Sequence, residues 1–142
     1  MLIISFYLDL ILNNFKFLGI PLFTFCYLLL KKDKNIYLIS FITGIIYDIV
    51  YLDTLILNGI LFPIIVYIYN YLKKDYNLLL IILMIILYQT SIFIILSIIR
   101  YIKFDFYRYV IVILKSLIIN ILYVIILKKV YLKQKHIFLN RW

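Results

Sequence analysis

Histidine, cysteine, glycine, alanine and glutamate are scarce or absent in this chain of 142 residues. The single histidine, His136, excludes a histidine-based catalytic triad, an HExxH pair and a histidine-rich zinc cluster. Three glycines, at positions 19, 44 and 59, cannot form a glycine-rich phosphate loop. The single cysteine, Cys26, cannot form an intrachain disulfide. We therefore predict a protein that is not an enzyme and that has no metal or cofactor site.

What the chain has in abundance is apolar surface. Hydrophobic residues make up 68% of it and the mean hydropathy is +1.14, whereas soluble domains have about 45–50% apolar residues. The net charge is +9, but the basic residues separate hydrophobic runs and do not gather on one soluble face. That distribution is typical of membrane-protein loops. We predict an all-α integral membrane protein, in contact with the lipid bilayer and not with nucleic acid.

Charges and turn residues divide the chain into six apolar segments. A bilayer core about 30 Å thick requires about 20 helical residues. The division predicts one polytopic domain, residues 1–142, folded as a compact bundle of about six transmembrane helices. In the alternative, the first two segments fuse around Lys16 to give five helices, although Gly19 and Pro21 oppose a continuous helix there. The six segments cover residues 1–15, 17–30, 36–52, 54–72, 77–99 and 106–127.

The lysines and arginines predict the orientation of the bundle, because they accumulate in cytoplasmic loops. With six segments and the N-terminus in the cytoplasm, ten of them lie inside and four outside. Both termini are then cytoplasmic, and residues 128–142 form a basic cytoplasmic tail on the anionic leaflet. Fusing the first two segments would keep the charge clusters on the same sides but would move the N-terminus outside.

One helical stripe contains an acid in an apolar setting. Ser40, Gly44 and Asp48 are spaced at i, i+4 and i+8, which places them on one helical face. A carboxylate within a membrane is costly and usually has an internal partner, so we predict that this face contacts protein. In the alternative, Asp48 lies at the membrane edge and is hydrated.

Lys115 is the predicted partner of that acid. It lies about 14 Å along its helix from Phe106, and an unpaired charge at that depth must snorkel, deprotonate or find an acid. An upward-reaching lysine could approach Asp48, giving an intramembrane ion pair. In the alternative, Lys115 snorkels alone to the outer surface.

Residues 21–71 resemble the rod-shape-determining protein MreD family of bacteria. The family has a proline that opens the second apolar run, then a "GFxxGLxxDL" pattern and a "PLGxxAL"-like stretch. The matching parts here are Pro21, then SFITGIIYDI at 40–49 and TLILNGIL at 54–61. Gly44 and Asp48 match best, while Ser40 stands where the family usually has glycine.

The resemblance implies a non-enzymatic subunit of the cell-elongation machinery in the bacterial cytoplasmic membrane. Its partners would be MreC, MreB filaments, and the glycosyltransferase and transpeptidase that build peptidoglycan. The stripe would accept a partner's transmembrane helix, with a partner-docking and structural set of Ser40, Gly44, Asp48, Gly59 and Pro63.

Two other classes of function are a main rival and a membrane enzyme, which the lack of catalytic motifs disfavours. One is a small substrate-binding membrane subunit of a vitamin or micronutrient transporter, which would need an external pocket with convergent polar groups. The residues available for such a pocket are Asp48, Asn58, Lys115 and Asn120. The other is an aspartate-based membrane hydrolase, for which only Asp48 and Asp53 are near each other in sequence.

Overall fold

The computed structural model describes residues 1–13, 20–31, 33–52, 56–72, 77–99 and 105–139. Within these ranges the chain forms six α-helices and no strand. The third helix continues directly into a π-helical turn at Asp48–Leu52. The helices are α1 Leu2–Asn13, α2 Phe23–Leu30, α3 Ile36–Tyr47, α4 Leu57–Leu72, α5 Leu78–Ile98 and α6 Phe106–Leu139.

The division of the sequence into six apolar segments is confirmed at the level of helices. The first two segments form separate helices, with Pro21 just before α2, so a fused first helix is wrong. The last helix is longer than predicted, since α6 continues through the basic residues to Leu139. No glycine or proline follows Phe106 to interrupt it. The predicted outer loop around Lys103 lies outside the described residues.

The shortest helix is the central one. α2 has eight residues, of which seven are buried, Phe23 through Leu29. It packs against α1, α4, α5 and α6. A helix of eight residues is about 12 Å long, so α2 reaches less than halfway across a layer of 30 Å. The longer helices therefore extend beyond it.

Aromatic rings from four helices form the middle of the core. Phe25 of α2 lies 5.1 Å from Phe62 of α4 and 4.9 Å from Tyr88 of α5, measured between ring centroids. Tyr47 of α3 contacts Phe62 edge-on at 5.3 Å. Such ring pairs add to the burial of their area by about 0.5–1.5 kcal/mol each. The cluster joins α2, α3, α4 and α5 into one core.

Paired residues show that neighbouring helices run antiparallel. In α3 and α4, Gly44 lies against Asn58 and Tyr37 lies near Tyr67. In α5 and α6, Phe93 packs on Tyr109, 4.6 Å between centroids, whereas the earlier Gln89 bonds to the later Ser116. One end of the bundle therefore holds the ends of α3 and α5 and the starts of α4 and α6. We call it the upper end.

The lower end includes the turn between α2 and α3. There Lys31 Nζ lies 2.9 Å from the Asp33 carboxylate, which also accepts the Asn35 N–H at 3.1 Å. The hydrogen bond from Lys31 is the main reason that the pKa of Asp33 is lowered from its ordinary value. This charged turn separates the apolar α2 and α3.

The outward faces of the helices are strongly apolar. Two helices are long and apolar enough to cross a membrane, α5 and residues 106–130 of α6, with mean hydropathies of 2.7 and 2.8. Only 28% and 22% of the residues in those windows are buried within the bundle. Isoleucine and leucine side chains cover much of the remaining outward surface. Two helices of this kind are weak support for a membrane location.

Candidate functional site

The acid predicted to be the centre of the chain joins α3 to α4. Asp48 is 2% exposed, and its carboxylate accepts the Asn58 N–H at 2.8 Å and the Gly59 N–H at 3.1 Å. These donors lie in the first turn of α4, where backbone N–H groups have no partner within their own helix. A carboxylate also interacts favourably with the positive end of a helix dipole. Asp48 therefore caps α4, and the hydrated alternative is wrong.

Gly44 permits the closest backbone approach between α3 and α4. A Cβ atom at this position would lie within 2.6 Å of three backbone atoms, which belong to Asn58 and Gly59. The predicted stripe faces protein, since Ser40, Gly44 and Asp48 are all buried. The surface that Gly44 meets is the chain's own α4. The expectation that this stripe accepts a partner's helix is therefore wrong, because α4 occupies the contact.

The predicted ion pair between Asp48 and Lys115 does not form. Lys115 is exposed on α6, and the Asp48 carboxylate is bonded to Asn58 and Gly59 of α4. The two ion pairs seen among the described residues are Lys31 with Asp33 and Arg108 with Asp105. The physical reason is that the α4 N-terminus already supplies donors for the acid. That Lys115 snorkels alone to the outer surface stays a prediction.

We expect Lys115→Leu to give no rescue of Asp48→Leu. Asp48→Leu leaves the Asn58 and Gly59 N–H groups buried without an acceptor, at about 1–3 kcal/mol each. Because Lys115 contributes nothing to that site, the double variant should show the sum of the two single effects in a denaturant unfolding series. Asp48→Asn, which keeps one acceptor oxygen, should be milder than Asp48→Leu. Recovery of stability in the double variant would restore the ion-pair interpretation.

A second acid, which the sequence did not single out, caps α2. Asp9 of α1 is 0% exposed and accepts the N–H groups of Phe23 at 2.8 Å and Thr24 at 2.9 Å. The Thr24 hydroxyl donates to it at 2.7 Å, and the Tyr47 hydroxyl donates to it as well. Asp9 thus joins α1, α2 and α3. Two features of the sequence could have indicated this role. Asp9 has apolar neighbours, so it needs an internal partner, and a proline marks the start of α2.

Three polar side chains from α5 and α6 hold the segment just before α2. Asn120 Oδ1 accepts the Leu22 N–H at 2.7 Å, and its Nδ2 donates to the Ile20 carbonyl at 3.1 Å. The Ser116 hydroxyl also donates to that carbonyl, at 2.7 Å, and it accepts a hydrogen bond from Gln89 Nε2. Backbone groups outside a helix need such partners when they are buried.

A cavity of about 330 Å³ lies in the upper half of the bundle. It lies between residues 20–22, the second half of α5 and the first turns of α6. Most of its wall is apolar, with a few polar side chains along it: Asn13, Tyr47, Asn58, Tyr88, Gln89, Arg108 and Tyr109. Its volume falls at the small end of the range for ligand pockets, roughly 300–1,000 Å³. The cavity is the strongest candidate for a binding site on the described part of the chain.

The polar residues predicted for a pocket are mostly elsewhere. Of Asp48, Asn58, Lys115 and Asn120, Asn58 alone lines the cavity, where its Oδ1 accepts the Tyr88 hydroxyl at 2.7 Å. Asp53, the second acid considered for hydrolysis, lies outside the described residues. No group of three or more histidine, cysteine or acidic residues meets among the residues that the structure describes.

Gly59 and Pro63 complete the predicted docking set. Gly59 is buried against α3 and gives its N–H to Asp48, so its role is internal. Pro63 is half-buried in the second turn of α4, where it removes one backbone donor from the helix.

No protein-family model, curated protein or solved structure matches this chain.

Proposed function

We propose that the protein is a non-enzymatic, multi-pass subunit of the bacterial cell-elongation machinery in the cytoplasmic membrane. The observation that carries this proposal is the unit formed by Gly44, Asp48 and Gly59. These residues carry the resemblance to the MreD family. They also form the close contact and the hydrogen bonds between α3 and α4, which we call the joint. Contacts among these three residues give a physical reason for the pattern that this chain shares with the family.

The joint suggests what the subunit does for its partners. Because α4 fills the small-residue stripe, partner helices in this proposal contact the outward faces of the bundle. Those faces include Leu38, Ile42 and Ile46 of α3, which are exposed and apolar. The protein then acts as a rigid platform that holds MreC and the peptidoglycan-building enzymes next to each other, together with MreB beneath the membrane.

The orientation proposed from charge predicts two labelling results. Lys103→Cys should react with an impermeant thiol reagent in intact cells, and Lys133→Cys should react only after the membrane is opened. The native Cys26 is buried, so the unsubstituted chain serves as the unlabelled control. Labelling of position 133 and not position 103 would place both termini outside and contradict the proposed topology.

The function itself is tested by recovery of partners and by cell shape. We expect a tagged copy, crosslinked in native membranes and purified, to recover MreC and the elongation enzymes. Depletion of the protein should lower the length-to-width ratio of the cells toward one, and re-expression should restore it. A control purification uses another multi-pass protein of the same membrane. Unchanged shape after depletion, with no elongation protein recovered, would contradict the proposal.

The cavity favours a second candidate, the substrate-binding membrane subunit of a small-molecule transporter. A concave, mostly apolar site with a few polar side chains is the usual form of such a site. The same purification separates the two candidates, because this one predicts recovery of a transporter ATPase. Depletion would then reduce solute uptake and leave the cell shape unchanged.

A further inference from the structure

Two basic residues share one outward face of α6 in its upper half. Arg108 and Lys115 are two helical turns apart, which is about 10 Å along the axis, and they differ in direction by only about 20°. Both residues are exposed, and 86% of the Arg108 side chain is accessible. Side chains of a helix lean toward its N-terminus, so Lys115 leans toward Arg108. This face therefore presents two cations to the surroundings of the bundle.

The same face forms an edge of the cavity. Arg108 and Val112 line the cavity, and Val112, which lies between the two basic residues along the helix, is 38% exposed. Less exposed apolar side chains continue the wall: Ile92, Leu96 and Ile113. A dry cavity of about 150 Å³ holds a benzene molecule, so this cavity of about 330 Å³ has room for part of an acyl chain.

One acid lies beside the cations. The Asp105 carboxylate accepts the backbone N–H groups of Tyr107 and Arg108, so it caps α6, and it lies 3.5 Å from Arg108 Nε. An ion pair this exposed is weak, and the guanidinium has further N–H donors for a second acceptor. Two cations and one acid leave this group of residues with a net charge of +1.

We propose that this face and the cavity together bind one anionic phospholipid, with its phosphate between Arg108 and Lys115 and one acyl chain in the cavity. The net positive charge selects an anionic headgroup over a zwitterionic one. The phosphate also gives Lys115 an anion within the membrane, where an unpaired cation is costly. This inference rests on the membrane location in the proposed function and not on the role in cell elongation. Loss of the lipid preference would leave partner recovery and cell shape as expected, so the two proposals can fail separately.

Photocrosslinking in nanodiscs tests the site. The full chain is reconstituted in phosphatidylcholine that contains a small fraction of a photoreactive lipid, with a diazirine in one acyl chain. This lipid is either phosphatidylglycerol or phosphatidylcholine, with identical chains. Peptide mass spectrometry then compares adducts on the cavity residues Leu96 and Ile113 with adducts on the outward Leu114 and Ile118, which report ordinary lipid contact. We expect this cavity-to-outward ratio to be about fivefold higher for phosphatidylglycerol, the effect of one net charge near a headgroup.

Charge variants give the decisive comparison. Arg108→Gln and Lys115→Gln each remove the net charge and should bring the preference to about one. Asp105→Asn keeps an acceptor for the cap and removes the competing acid, so the preference should rise to about 25-fold. Lys129→Gln, the matched control, removes one exposed charge nearer the lower end of the same helix and should keep the fivefold preference.

Equal ratios for the two lipids in the unsubstituted chain would indicate ordinary lipid contact only and would overturn the proposal. A preference that survives in Arg108→Gln or in Lys115→Gln would also overturn it, as would a preference that Lys129→Gln removes.

Discussion

Gly44→Ala should remove most of the folded protein from the membrane fraction. The added methyl group would lie within 2.6 Å of backbone atoms of Asn58 and Gly59, which cannot rotate away as a side chain can. Overpacking of a well-packed contact costs about 1–3 kcal/mol, occasionally more, and α4 would have to move as a unit. Alanine regains about 1 kcal/mol of helix propensity. Because the methyl group meets backbone atoms, we place the cost at the upper end of that range, which leaves a net loss of roughly 2 kcal/mol.

Gly59→Ala is the matched control for that variant. Its Cβ atom would meet side-chain atoms, Ile56 Cγ2 at 2.9 Å and Ile45 Cγ1 at 3.0 Å. Ile56 is exposed and can rotate, so the change should be within about 1 kcal/mol of neutral. The measurement is the melting midpoint of each purified variant, together with its level in membranes. Equal losses for the two glycines would contradict the close approach of α3 and α4 at Gly44.

Asp9→Leu should be the most damaging substitution in α1. It leaves the N–H groups of Phe23 and Thr24 buried without an acceptor, and two hydroxyl groups lose theirs. At about 1–3 kcal/mol for each unsatisfied buried group, the backbone donors alone cost roughly 2–6 kcal/mol. That is a large share of the stability of an ordinary domain, about 5–15 kcal/mol. We expect little folded protein to accumulate.

Three milder variants serve as controls for Asp9→Leu. Asp9→Asn keeps one acceptor oxygen and should retain part of the stability. Tyr47→Phe removes one hydroxyl donor but leaves Asp9 its other three, so it should cost only about 1 kcal/mol. Ile4→Leu, on the exposed face of the same helix, should be neutral. An Asp9→Leu variant as stable as Ile4→Leu would show that the acid does not hold α2 in place.

The helices could be read from the sequence because their signals are local. Runs of isoleucine and leucine, separated by charges and by Pro21, mark five of the six helix starts to within about three residues, and α2 begins later than predicted. The burial of Asp48 was likewise predictable, since a lone acid among apolar residues needs an internal partner.

The partners of the acids could not be read in the same way. The donors that bond to Asp48 and Asp9 are backbone N–H groups at helix starts, and every residue except proline carries one. The side chain of Lys115 was conspicuous in the sequence, whereas Asn58 N–H had no signal of its own. Similarly, the spacing of Ser40 and Gly44 predicts a close helix contact but not which helix makes it.

The central position of α2 has a consequence for the order in which the protein is assembled. In a membrane, a helix of eight residues cannot be stably inserted by itself, because it is too short to span the layer. The residues that bond to the segment before α2, Asn120 and Ser116, belong to α6, which is synthesised after the other five described helices. The entry to α2 therefore reaches its final arrangement only after the ribosome has completed α6.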